Sequence, residues 1–117
     1  MEISFKQIDE ITIVKIESTE LNHVVSHEFQ RQINPIFEEK KFNIALDMKS
    51  VDFMDSMGIG TLITLRNKLM KEKGNIAMFN ISDRVKKIID IAALHKVFAL
   101  YGTEEEAVDG LKEKMLA

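Results

Sequence analysis

The feature that most constrains this chain is a change of apolar period that recurs along it. Short strand-like runs, such as Phe42-Asn43-Ile44-Ala45-Leu46-Asp47-Met48 and Ile76-Ala77-Met78-Phe79, give way each time to apolar residues spaced at three and four. A period near 2 belongs to strands and one near 3.6 to helices, so this alternation predicts βα units. The chain opens differently. Ile3, Phe5 and Ile8 interrupt polar residues, Asp9-Glu10 follow, and Ile11-Thr12-Ile13-Val14-Lys15-Ile16 is rich in β-branched side chains. That pattern predicts two strands joined by a tight turn. The expected order is ββαβαβαβα. It describes an α/β fold whose mixed β-sheet opens with a β-hairpin and packs against about four α-helices.

Helix signals sharpen the picture. Asn22 is a competent N-cap, after which Val25, Phe29, Ile33 and Phe37 form one stripe. Pro35 lies inside that pattern. Either the helix kinks there, or Asn34 caps a second short helix with Pro35 in its first turn. Val51-Asp52-Phe53-Met54 leads into a loop or a strand end. From Met57 onward, Ile59, Leu62, Ile63, Leu65, Leu69 and Met70 make the apolar side of a helix, with Arg66, Asn67, Lys68, Lys71 and Glu72 opposite. Gly74 is the expected left-handed residue closing it. Ser82 should cap a helix burying Val85, Ile88, Ile89 and Ala92, and Val97-Phe98-Ala99-Leu100 should be the last strand. Thr103 and Glu106 have capping-box spacing ahead of the stripe Ala107, Val108, Leu111 and Met115.

Composition narrows the function classes. The 117 residues suit one domain spanning 1–117, 45% of them are hydrophobic, and none is cysteine, so disulfides and thiolate metal sites are excluded. The N-terminus alternates as a strand rather than as a signal-peptide core, and no apolar run reaches membrane-spanning length, so a cytoplasmic protein without a membrane role is expected. A net charge of -3, with no tryptophan and one tyrosine, gives little to attract or stack nucleic acid, and no direct nucleic-acid partner is expected.

The segment richest in chemistry is Val51-Asp52-Phe53-Met54-Asp55-Ser56-Met57-Gly58-Ile59-Gly60. It places Asp55 and Ser56 where an apolar strand gives way to an amphipathic helix. The first N–H groups of a helix lack internal acceptors and present partial positive charge, so this end suits a phosphate oxygen. The plainer reading is that Asp55 or Ser56 caps the helix. Gly58 and Gly60 either leave the first turn open to another backbone or allow tight helix–sheet packing.

Phe53-Met54-Asp55-Ser56-Met57-Gly58-Ile59-Gly60 resembles the Asp-Ser-x-Gly signature of the STAS domain family, particularly the bacterial anti-sigma factor antagonists. Ile44-Ala45-Leu46-Asp47-Met48 resembles the family's preceding strand, Gly74-Asn75-Ile76-Ala77-Met78 its next strand entry, and Thr103-Glu104-Glu105-Glu106-Ala107 its last helix start. The resemblance implies a STAS-type fold and partner switching without a cofactor. An unphosphorylated antagonist binds an anti-sigma factor that is itself a serine kinase, and so releases a sigma factor. The kinase then phosphorylates the signature serine, here Ser56, and a phosphoserine phosphatase reverses the mark. Asp55, Ser56, Met57, Gly58 and Ile59 would surround the docking surface. Many members enter their first helix through a Gly-x-Leu-Asp-like segment, whereas this chain reads Ser18-Thr19-Glu20-Leu21-Asn22. Asn22, counted with the docking residues, can cap that helix but lacks the carboxylate.

Other readings meet specific obstacles. A receiver domain needs an acidic cluster after its first strand to hold magnesium. A nucleophile elbow needs glycine where Met54 stands, and no Gly-Lys-Ser/Thr phosphate loop occurs. His23 and His27 share a helix face but lack a recognisable third metal ligand. Two alternatives stay open: a STAS module of another system, such as a stress-signalling scaffold or a lipid-transport accessory subunit, and a small nucleotide-binding or hydrolytic enzyme. The basic residues Arg66, Lys68, Lys71, Lys73, Arg84, Lys86 and Lys87 form either a solvated surface or a complement to an acidic partner.

Overall fold

A computed structural model of the chain describes residues 2–116, with side chains from Ile3 onward. Strands β1 (Glu2–Ile8) and β2 (Ile11–Glu17) form the expected hairpin, paired antiparallel with Ile8 opposite Ile11. Asp9 turns the corner with φ 52°. Strands β4 (Asn43–Asp47), β6 (Asn75–Phe79) and β7 (Ala99–Tyr101) add in parallel, giving a five-stranded mixed sheet in the order β1-β2-β4-β6-β7.

Each crossover steps one strand further in the same direction. With a single crossover hand, the three connecting helices must lie on one face. These are α1 (His23–Glu38), α2 (Ser56–Lys71) and α3 (Asp83–Ile91). They bury Phe29, Ile33, Leu62, Leu69, Val85 and Ile89 against Val14, Ile16, Ile44, Leu46, Ile76 and Met78. The alternate side chains, Ile11, Ile13, Ala45, Ala77 and Phe79, meet Ala107, Val108 and Leu111 of α4 (Glu104–Leu116) on the other face. Period 2 in the strands thus splits one apolar sequence into two cores.

Several expectations need correction. Helix α1 runs unbroken through Pro35, which faces solvent, so Asn34 starts no second helix. Gly74 does not take the left-handed conformation; Lys73 does, with φ 59°. The Lys73 N–H donates to the Met70 carbonyl and the Gly74 N–H to that of Leu69 (2.8 Å), so the turn closes one residue earlier than expected. Gly74 is required for space instead, because a Cβ there would lie 2.0 Å from the Phe42 carbonyl oxygen. Ala92 is exposed beyond the end of α3 rather than buried. The expected strand at 97–100 is present but starts two residues later, as β7 (Ala99–Tyr101), because a 3-10 turn (Leu94–Lys96) precedes it. On α2, Leu62, Leu65 and Leu69 are buried, but Ile63 and Met70 from the same expected apolar side are exposed. The α4 cap is also only half a capping box. Thr103 Oγ1 accepts the Glu106 N–H (3.2 Å), while the Glu106 carboxylate takes the threonine hydroxyl rather than its backbone N–H.

A feature without any periodic signal builds the site. Two short strands, β3 (Glu20–Leu21) and β5 (Phe53–Met54), pair in parallel beyond the C-terminal ends of β2 and β4. They draw the starts of α1 and α2 together.

Candidate functional site

Helix α2 begins at Ser56, with Asp55 as its N-cap in extended conformation. The first-turn amides can be followed one by one. The Asp55 N–H donates to the Leu21 carbonyl (3.2 Å), the Gly58 N–H to Asp55 Oδ1 (2.9 Å), and the Ile59 N–H to the Asp55 carbonyl (3.0 Å). That leaves the N–H groups of Ser56 and Met57 as the open donors of this helix start among the described residues. The exposed Ser56 hydroxyl likewise makes no hydrogen bond to another described residue. It stands at a positive helix end with nothing intramolecular holding it.

Asp55 does more than cap α2. Its Oδ2 accepts the backbone N–H of His23, the first residue of α1, at 3.2 Å, and lies 3.4 Å from His23 Nδ1. One carboxylate therefore serves the starts of two helices. The Gly58 N–H is the main cause, with the His23 contacts adding to it, of an Asp55 carboxyl held below its ordinary range despite opposing desolvation. Asn22 caps α1 in turn, its Oδ1 accepting the N–H groups of Val24 and Val25.

The two glycines of the signature separate. Gly58 is buried, and a Cβ there would sit 1.9 Å from the Leu21 carbonyl oxygen, so β3 itself occupies the space its hydrogen leaves. Gly60 has nothing within 4 Å of an added Cβ and opens to solvent. Ile59 is partly buried against the core, while Met57, 55% exposed, projects outward. Phe53 and Val24 (71% exposed) supply further apolar surface on the elements joined by β3, β5 and Asp55. Sequence reasoning missed Val24, Phe53 and the His23–Asp55 contact. The first two read only as ordinary strand or helix residues, and the contact spans 32 positions.

The rings of His23 and His95 face Asp55 and Asp90, and none of the described histidines is hydrogen-bonded to the serine. Among the described residues, no three His, Cys, Asp or Glu side chains gather as metal ligands, and no helix is long and apolar enough to cross a membrane. Asp52, at the edge of the site, pairs with Arg84 of α3 at 3.1 Å.

The site thus lies on a mixed sheet with three helices on one face and one on the other, where an exposed serine opens α2 and a carboxylate ties α2 to α1. Residues 2–107 match the STAS domain model, and the chain belongs to the STAS domain family. It is 30% identical over 104 residues to the anti-sigma F factor antagonist of Paenibacillus polymyxa, covering 87% of each chain. The anti-sigma factor antagonist SpoIIAA shares the fold in its unphosphorylated form, with TM-score 0.71, 22% identity and coverage of 95% of this chain and 98% of that one. Its phosphorylated form, described as a Bacillus cell fate determinant, gives TM-score 0.69 at 22% identity, covering 92% and 97%. A sulfate transporter family protein of Wolinella succinogenes also has this fold, with TM-score 0.80, 15% identity and coverage of 94% and 91%. Fold likeness therefore spans an anti-sigma factor antagonist and a sulfate transporter family protein.

Proposed function

We propose that this chain is an anti-sigma factor antagonist whose partner binding is switched by phosphorylation of Ser56. The observation that carries the reading is the exposed, unengaged Ser56 hydroxyl at the start of α2, beside two amides without acceptors. The likeness to the Paenibacillus antagonist across most of both chains supports the same role.

In its unphosphorylated state the chain docks on an anti-sigma factor serine kinase through the surface around Ser56, and the sigma factor is released. Met57, Phe53 and Val24 give that surface its apolar contacts; Gly58, Asp55 and Asn22 act from beneath by fixing the starts of α2 and α1. The kinase transfers phosphate to Ser56, and a phosphoserine phosphatase removes it. The chain is a substrate in this cycle and supplies no catalytic group or cofactor.

Phosphorylation adds about 1.5 to 2 negative charges. Within the chain, the open amides and the helix dipole stabilise that charge, so the fold need not change. At a docked interface the same charge would be desolvated next to ionised Asp55, which opposes association. The cytoplasm is where such a kinase and its ATP are found.

Incubation with the cognate anti-sigma factor kinase and ATP, followed by peptide mass mapping, tests the assignment. One phosphate should appear, on Ser56, and Ser56→Ala should remain unmodified while still binding. A phosphate at another residue would overturn it.

A further inference from the structure

The expected apolar side of α2 is wider than the core can use. Leu62, Leu65 and Leu69 face inward, yet Ile63 (36% exposed) and Met70 (39% exposed) lie on the surface with the partly buried Ile59 beside them. At 3.6 residues per turn, Ser56, Ile59, Ile63 and Met70 fall within an arc of about 60°, so they form one line about 21 Å long. Val97 widens this line. Its carbonyl accepts a hydrogen bond from Arg66 Nε at 3.0 Å, which ties the segment carrying the exposed Val97 to α2. Single exposed apolar residues are ordinary, but a row aligned with a modifiable serine is not scattered exposure.

The charge on the same helix has one sign. Helix α2 contains no acidic residue, and at about 100° per residue Arg66 and Lys71 flank the line on its two sides, while Lys68 lies on the far side of the helix. A face of this kind fits an apolar surface rimmed by carboxylates.

We infer that the kinase-docking surface continues from Ser56 along the outer face of α2 through Ile63 to Met70 and Val97, and that an acid-rimmed apolar face of the anti-sigma factor kinase covers it. This rests on the function proposed above and adds a contact that phosphate does not reach. Ser56 then acts as the switch at one end, while the apolar line sets how long the complex lasts. The basic residues beside it speed encounter with an acidic partner.

The test uses the intact chain and the purified anti-sigma factor serine kinase from the same genome, with binding followed by calorimetry and stopped-flow mixing. Ile63→Asp combined with Met70→Asp should weaken binding at least about tenfold, mainly through faster dissociation, because buried anchors dominate interface energies. Lys71→Glu should slow association at low salt, and that effect should fade as salt screens it. Peroxide oxidation of the unsubstituted chain gives a readout independent of any variant: bound kinase should protect Met70 as well as Met57. Protection of Met57 alone, or double-variant affinity within about twofold of wild type while Ser56→Asp abolishes binding, would overturn the extended surface and leave the switch intact. Loss of self-association in the double variant with unchanged kinase affinity would also overturn it, assigning the line to a second copy. Absence of kinase binding by the wild-type chain would overturn both.

Discussion

Gly58 and Gly60 stand two positions apart in the same helix and are glycine for different reasons. At Gly58 the Leu21 carbonyl oxygen lies where a Cβ would be, at 1.9 Å, and it is backbone held by its own hydrogen bond from Asp55. Gly58→Ala should therefore destabilise the fold by about 1–3 kcal/mol, the usual cost of overpacking. Gly60→Ala meets open space and should stabilise α2 by about 0.5–1 kcal/mol, since glycine is a poor helix residue. Urea midpoints of the two variants check both signs; equal shifts would mean that the β3 contact does not constrain α2. The signature made both glycines visible in the sequence, but not this difference. It depends on which one faces a strand of two residues, and two residues carry no readable period.

At the scale of elements, Asp55 links the starts of α1 and α2. Its folded carboxyl titrates below the ordinary aspartate range, principally because of the Gly58 N–H and then the His23 contacts. A lowered folded value means that the carboxylate contributes stability above the unfolded value, near 3.9, and loses that contribution as pH falls through the folded value. Urea midpoints measured from about pH 6 down to about pH 3 should thus fall more steeply for the wild type than for Asp55→Asn, which has no charge to lose. Parallel curves would mean that the carboxylate does not tie the helices electrostatically. Most elements were legible in the sequence because periods of 2 and 3.6 alternate so regularly. The exceptions have local causes. Pro35 sits exposed in the last turn of α1, off the face that buries Ile33 and Ile36. The last strand shifted because Val97 and Phe98 are apolar in the way a strand is, although their N–H groups close a 3-10 turn onto Leu94.

Across the whole molecule, the sheet order places α1, α2 and α3 together on one face, and β3 pairs with β5 where α1 and α2 begin. Ser56 stands at that junction, exposed and with no side-chain hydrogen bond among the described residues, while Asp55 beneath it is engaged by Gly58 and His23. The position of the serine was readable from the Asp-Ser-x-Gly pattern. Its freedom was not, because that depends on Leu21 and Asp55 taking the other hydrogen bonds of the first turn. We propose that phosphate on this serine blocks association without unfolding the chain. Titration calorimetry of the anti-sigma factor kinase with unmodified and Ser56-phosphorylated protein tests it most directly, with far-UV circular dichroism recorded on both forms. The spectra should superimpose, and the phosphorylated form should bind at least about tenfold more weakly, equivalent to about 1.4 kcal/mol. Equal affinities, or a phosphorylated chain that has lost its helices, would contradict it.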